Sequence, residues 1–284
     1  MRVLITGATG SAGEVVARYL YQAEIPIRIA VRSVAKAQEN WGDTEAEILA
    51  FDFSNPKTFE GALEGVSHLW LIAPPGSQDI EPVKTLLEDT PHQLEHILML
   101  SGRTTGDVEG LLLQRVEQYL SQQNLPYTIL RAGWFMQNFI NWMKNDIEEG
   151  FLRLPTAQAK TTFLDLRDLA LVAEQAILEP KHRGKRYEIV GPEALSHAEV
   201  ASILSEELGW NIEYQALSDK AYIQQQIDRG WSPAAAEWTA YLYKLVRTGK
   251  EAELSSDFTT IMGYSGRSLT TFVRDHKILW GHAH

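Results

Sequence analysis

The 284-residue sequence has no cysteine at all. That absence removes thiolate nucleophiles, disulfides and cysteine-ligated metals together, and it leaves the redox compartment open. Long apolar runs are also missing: nowhere do 18 apolar residues stand together, so no membrane-spanning helix is expected. Met1-Arg2-Val3-Leu4-Ile5-Thr6 reaches glycine at position 7, too soon for the apolar core of a secretory signal, and a cytoplasmic location is the expectation. Positive charge is in deficit, with 26 Lys and Arg against 37 Asp and Glu and a net charge of -11. Without a local basic patch, such a surface repels polyphosphate backbones, so nucleic acid is not an expected partner. No repeat, low-complexity tract or Pro/Gly-rich linker interrupts the chain.

What is present is ordinary globular material, 44% hydrophobic and 22% charged, enough for one sizeable core. The length suits one α/β domain with an appended lobe. The first 131 residues alternate short apolar runs with stretches of helical period, as in a parallel sheet covered on both faces. Strands are predicted over 2–6, 27–31, 47–51, 67–73, 95–101 and 127–131, and helices over 11–23, 34–40, 56–63, 79–89 and 107–123. Six parallel strands with right-handed crossovers make a doubly wound sheet. After residue 132 the rhythm changes. Trp134 to Glu149 and Asp165 to Leu178 read as helices, and Tyr187 to Val190 as a short strand. Ser196-His197-Ala198-Glu199 is a capping box, and Ser232-Pro233 opens another helix. The expected architecture is therefore a Rossmann-type α/β fold, a doubly wound parallel sheet with a smaller, mostly helical C-terminal lobe. Residues 1–133, completed by about 160–191, form the dinucleotide-binding domain; 134–159 and 192–284 form the substrate or partner lobe.

Gly7-Ala8-Thr9-Gly10-Ser11-Ala12-Gly13 follows the first strand and opens the first helix. Glycines in that setting serve a tight turn, a close approach of backbone to pyrophosphate, and tight helix-to-strand packing. The helix N-terminus adds N–H groups and partial positive charge. The alternative is a packing turn without ligand. Where an NAD site would place an acid, at the end of the second strand, this chain has Arg32, then Ser33 and Lys36. A guanidinium, a hydroxyl and an ammonium suit a 2′-phosphate, which points to NADP(H), unless Arg32 and Lys36 are merely a solvated helix start. Asp52 and Phe53 are placed to border the adenine, although Asp52 would also serve as a cap near Pro56. Ala73-Pro74-Pro75 ends the fourth strand at the edge that faces ligands in such sheets, or simply breaks the chain into a loop.

Together these residues resemble the NmrA-like, atypical branch of the short-chain dehydrogenase/reductase superfamily. The matching segments are the glycine loop at 7–13, Val31-Arg32-Ser33, Glu117 through Leu120, and Leu125-Pro126-Tyr127-Thr128-Ile129-Leu130-Arg131 running on through Ala132-Gly133-Trp134-Phe135-Met136-Gln137-Asn138. Gly249 to Gly263 looks like the branch's C-terminal tail. The resemblance implies the fold and NADP(H). For function it implies either reduction of quinones, cationic dyes or iminium intermediates, or redox sensing by a regulator that binds a protein partner.

The superfamily's Tyr-x-x-x-Lys pair, acid and pKa-lowering cation, is absent. Counted back from Glu117, the lysine position is Gln114 and the tyrosine position Gly110. Ser101 and Gln114 remain as positioning candidates near the nicotinamide, with Ser101 equally read as a strand-end hydrogen-bonder. Without an acid, an acceptor carrying its own electron sink is favoured over a simple ketone. Trp134, Phe135 and Asn138 are the substrate-side candidates, and the aromatics of Trp134 to Trp142 and Trp231 to Tyr243 suit flat acceptors or else form lobe core. No metal is expected: His92 and His96 flank a strand start, and His282 and His284 sit at the C-terminus. Nor is there a nucleophile-elbow sequence. A homo-oligomer is a further possibility that the sequence leaves open.

Overall fold

The computed structural model describes residues 1–74, 76–88, 94–123 and 125–281. Pro75, His92, His282 and His284 therefore lie outside the described residues. The chain runs β1 (Val3–Thr6), α1 (Ser11–Gln22), β2 (Ile27–Val31), α2 (Val34–Trp41), β3 (Glu47–Ala50), α3 (Phe59–Leu63), β4 (His68–Ile72), α4 (Glu81–Glu88), β5 (His96–Gly102), α5 (Leu112–Gln122) and β6 (Tyr127–Ala132). It continues through α6 (Lys144–Glu148), β7 (Phe151–Leu154), β8 (Lys160–Thr162), α7 (Leu166–Leu178), β9 (Lys185–Ile189), β10 (Ala194–Ser196) and α8 (His197–Leu208). The last elements are β11 (Glu213–Ala216), α9 (Asp219–Asp228), α10 (Pro233–Val246), α11 (Asp257–Met262) and α12 (Leu269–His276). Contacts divide it into two units, Met1–Ala132 with Leu166–Ile189, and Gly133–Asp165 with Val190–His284.

The first unit is a parallel seven-stranded sheet in the order β3-β2-β1-β4-β5-β6-β9. Central strands such as Val3–Thr6 are buried along their whole length, because helices cover both faces. On one face Phe59 of α3, Leu86 of α4 and Val116 of α5 pack on Leu4, Leu71, Met99 and Ile129; elsewhere in the unit α1 lies along α7. The chain winds outward from β1 to β3 and then restarts at β4 on the other side of β1. That reversal is the topological switch point, where a crevice opens at the carboxyl ends of the strands.

Six parallel strands and a separate short strand at 187–190 were expected; that short strand is the end of β9, which joins the sheet as its seventh strand beside β6, with Thr128 opposite Lys185 and Ala132 opposite Ile189. Its sequence Lys-Arg-Tyr-Glu-Ile buries only the last residue, as an edge strand does, and so hides its length from a hydrophobic reading. The helix expected from residue 107 begins only at Leu112, after a turn with Gly110 at φ +83.

The second unit departs further from expectation. No continuous helix spans Trp134 to Glu149; a short 3₁₀ turn (Met136–Phe139) and α6 stand in its place. The backbone of Trp134 to Met136 is drawn into extended pairing with Leu164, which gives its N–H to Trp134 and accepts from Met136. Asn138 and Asn141, weak helix formers, follow. Met136, Phe139, Met143 and Ile147 still turn inward onto Leu204, Tyr243 and Phe272, so the apolar period was genuine although the regular helix was not. Four short strands also escaped the sequence reading: β8 pairs antiparallel with β10, and β7 parallel with β11. Segments of three or four residues are too short to display a period of two. The helix starts fare better. Both halves of the Ser196/Glu199 capping box form, and Ser232 caps α10 with Pro233 in its first turn.

Candidate functional site

The glycine loop sits at the carboxyl end of β1. Thr6 ties that end to β4: its hydroxyl lies 3.1 Å from the Trp70 carbonyl and 3.2 Å from that of Ile72, and it accepts the Ile72 N–H at 2.8 Å. Gly7 turns the chain at φ +71, a conformation that favours glycine. A Cβ on Gly13 would stand 2.2 Å from the Gly7 carbonyl oxygen, so the first turn of α1 rests directly on the loop. Gly10 is different. It is the N-cap of α1, has ordinary extended backbone (φ -97, ψ 160), carries no side-chain cap, and a Cβ there would meet nothing nearer than 3.4 Å. Gly7, Thr9, Gly10 and Ser11 are exposed, while Ala8, Ala12 and Gly13 are buried. A helix N-terminus with an uncapped, exposed, glycine-lined approach fits a pyrophosphate.

Arg32 and Lys36 are exposed, and neither makes an ion pair or side-chain hydrogen bond among the described residues. Ser33 caps α2 by accepting the Lys36 N–H at 3.4 Å, which leaves its proton available. Asp52 does not cap the helix near Pro56, whose N-cap is Asn55. Its Oδ1 instead accepts from the backbone (2.9 Å) and hydroxyl (2.8 Å) of Ser54. These bonds, with the nearby Arg32 charge, hold its carboxyl below the usual carboxylate range. Phe53 meets Phe51 edge-on, ring centroids 5.0 Å apart, and so is fixed beside the end of β3. Ala73 is buried and Pro74 half-buried after β4.

At the end of β5, Ser101 donates to Glu117 Oε1 on α5 at 2.6 Å. Glu117 is 1% exposed, and the Arg131 guanidinium on β6 forks onto it, Nε to Oε1 at 2.9 Å and a terminal nitrogen to Oε2 at 2.7 Å. Arg131 also holds Asp107 and the Gly106 carbonyl, and Arg186 approaches Glu117 Oε2 at 3.3 Å. Gly106 leaves room for the pair: a Cβ there would lie 2.6 Å from Glu117 Oε1. Gln114 turns its side-chain oxygen to the Gly110 N–H at 3.3 Å beside a polar cavity of about 210 Å3. The Ser101 reading as a strand-end hydrogen-bonder is thus realised, with a carboxylate the sequence reading had not assigned. The signal was available: a charge on the buried face of α5, between Val116 and Leu120, needs an opposite charge, and Arg131 ends an apolar strand.

In the second unit Trp134 stacks on Tyr243 (4.7 Å), Trp142 stacks on Trp231 (5.3 Å), and Phe139 packs on Phe163 (5.1 Å). Phe139, Phe163 and Tyr243 are buried core and Trp134 and Trp142 pack half-buried against it, whereas Trp231 is half-buried and Trp238 exposed. Phe135 and Asn138 are half-buried. Among the described residues no group of three or more metal-ligating side chains is assembled, and no helix is long and apolar enough to cross a membrane. His96 bonds Thr128 at 2.8 Å.

Residues 114–257 match the model of the NmrA-like family, and residues 7–147 match an NAD(P)H-binding model. The chain is 28% identical to the NAD(P)H azoreductase of Xenophilus azovorans over 99% of its own length and 100% of the relative. It is 30% identical to the uncharacterized oxidoreductase YesF of Bacillus subtilis, over 98% and 96% of the two chains. Among solved structures it resembles Citrobacter sp. triphenylmethane reductase complexed with NADP(H), with TM-score 0.83, 25% identity, and 97% and 99% of the two chains covered. The chain belongs to the NmrA-like family and, with it, to the NAD(P)H-binding oxidoreductases.

Proposed function

We propose that this protein is an NADPH-dependent reductase that passes hydride to an electron-poor aromatic or conjugated acceptor, a quinone, an iminium or an extended cation, without a protein acid. The observation that carries the acceptor class is the β5–α5 region. The superfamily's tyrosine position is Gly110, which has no side chain, and its lysine position is Gln114, a neutral amide turned onto the Gly110 N–H. A ketone would need a proton as its alkoxide develops, whereas a quinone or conjugated cation accommodates the added electron pair itself.

The cofactor supplies the hydride; the chain supplies binding and orientation. Gly7, Thr9, Gly10, Ser11, Ala12 and Gly13 receive the pyrophosphate at the uncapped start of α1. Arg32, Ser33 and Lys36 take the 2′-phosphate, and Asp52 and Phe53 border the adenine. Ala73 and Pro74, with Pro75 next in sequence, follow β4 and would border the nicotinamide half of the cofactor, with Ser101 and Gln114 as its further positioning residues. Trp134, Phe135 and Asn138 are assigned to the acceptor, and residues 134–159 and 192–284 to the lobe that selects it. The names of the azo- and triphenylmethane-reducing relatives support acceptors of this class.

Steady-state NADPH oxidation against a panel of quinones, azo dyes, cationic dyes and simple ketones tests the reading. Turnover with conjugated acceptors and none with unactivated ketones is expected. Rapid ketone reduction would overturn the acid-free mechanism. If every acceptor is inert while NADPH binds, the protein is a dinucleotide-sensing regulator, a reading that the same missing Tyr-Lys pair would favour.

A further inference from the structure

The hydroxyl of Ser101 has one proton, and that proton has a fixed destination. It points at Glu117 Oε1, 2.6 Å away, and Glu117 accepts only, because the guanidinium groups of Arg131 and Arg186 face its carboxylate. Both side chains are buried, Ser101 3% and Glu117 1% exposed. A second acceptor for the proton would have to displace a carboxylate already gripped by a bidentate arginine.

Ser101 stands opposite Arg131 in the β5–β6 register, one residue beyond Leu100, which pairs with Ile72 at the end of β4. It therefore ends the strand next but one to β1, about 10 Å from the glycine loop on strand spacing alone. It lies on the opposite side of β1 from the end of β2 that carries Arg32, so on that reading of the cofactor this side of the switch point would take the nicotinamide. We propose that Glu117, held by Arg131, is a positioning residue that makes Ser101 an obligatory hydrogen-bond acceptor toward the nicotinamide half of the cofactor; this rests on the NADP(H) reading above. An acceptor-only hydroxyl at that edge recognises a donor, and the donor at the reactive end of the cofactor is the carboxamide NH2. Such a hydroxyl also has no proton to give an acceptor substrate, so the same geometry removes Ser101 as a general acid.

The test is a binding experiment with NADPH and its 3-acetylpyridine analogue, in which a methyl group replaces the carboxamide NH2. Dissociation constants are measured by calorimetry for the unaltered protein, Ser101→Ala, Glu117→Asp and the double variant. Glu117→Asp keeps a negative charge for Arg131 but draws the carboxylate away from Ser101, and Glu117→Gln serves as the second variant should it fold poorly. Ser101→Ala should weaken NADPH about fivefold, the loss of one neutral hydrogen bond, and leave the analogue unchanged. Glu117→Asp should weaken NADPH similarly, and that effect should vanish in the Ser101→Ala background. Equal losses for NADPH and the analogue, or Glu117 and Ser101 effects that multiply independently, overturn the inference while leaving NADP(H) binding intact. If the unaltered protein binds neither nucleotide, the cofactor reading itself falls and this inference with it.

Discussion

Single residues decide what the glycine loop and the end of β2 can hold. Arg32 presents a guanidinium with no ion-pair or hydrogen-bond partner among the described residues, and the Asp52 whose charge it feels nearby is already engaged with Ser54. Arg32→Ala is expected to cost NADPH about 1.5–3 kcal/mol, tenfold or more in affinity, and to leave NADH nearly unaffected. Calorimetry with both nucleotides decides it; an unchanged preference removes Arg32 from the 2′-phosphate site. The three loop glycines differ among themselves in a way that separates binding from folding. At Gly10 the backbone is one valine adopts freely, and the nearest atom to a new Cβ is 3.4 Å away. Gly10→Val should therefore keep the native circular dichroism, with only the small loss of stability of a poorer N-cap, yet abolish nucleotide binding, because its branches would fill the approach proposed for the pyrophosphate. Gly13→Ala should do the opposite damage first: a Cβ 2.2 Å from the Gly7 carbonyl forces α1 away from β1, at a cost of about 1–3 kcal/mol in stability. Retained binding in a well-folded Gly10→Val protein would show the loop to be structural only.

Among the elements, the clearest dependence runs through the turn between β5 and α5. Gly106 lies where a side chain would press on Glu117 Oε1 at 2.6 Å, on the Gly102 carbonyl at 2.8 Å and on Arg131 Nε at 3.0 Å. Gly106→Ala should destabilise by roughly 1–3 kcal/mol in urea denaturation; a neutral result would mean the ion pair is not tightly seated. The elements that held this network were legible in sequence where burial is continuous. β1, β2, β4, β5 and β6 are apolar along most of their length because helices cover both faces, and their predicted limits lie within a residue or so of those found. Legibility failed where tertiary contacts outrank local preference. β9 was read only from Tyr187 on and not as part of the sheet, because an edge strand is polar, and Trp134 to Met136 is extended because Leu164 takes its hydrogen bonds. β7, β8, β10 and β11 are too short to carry a pattern. At the site, the loop was readable because steric demand shows directly as glycine, whereas the Glu117–Arg131 pair joins residues 14 positions apart through a fold not yet in view.

For the whole molecule, buried neutral histidine sets the first response to acid, between about pH 6.5 and 5.5, before depressed carboxylates such as Glu199 add their own loss at lower pH. His68, His96 and His182 lie in the first unit and His197 in the second, each nearly inaccessible to solvent. Thr128 gives its one proton to the His182 carbonyl at 2.6 Å, so at 2.8 Å it accepts from His96 Nε2, which fixes that ring as the Nε2–H tautomer. Burial lowers all four histidines below the usual 6.5, His96 to about 4 and His197 to about 3. In the unfolded chain they regain the ordinary value. Above pH 6.5 both states are neutral and the histidines contribute no pH dependence. Below it the unfolded chain takes up protons that the folded one refuses, so stability falls as pH falls, by up to about 1.4 kcal/mol per pH unit for each such histidine. Between pH 6.5 and 5.5 ordinary carboxylates barely titrate, so relief of the net charge of -11 is a small opposing effect there. Urea denaturation at intervals from pH 7.5 to 4.5 should show a plateau and then a decline beginning near 6.5. His197→Asn, which keeps a polar atom for Thr156, should reduce the proton uptake on unfolding at pH 5 by about one. Stability that is flat or rising on acidification over this range, or an uptake unchanged by the substitution, would mean that these histidines are not held neutral in the fold.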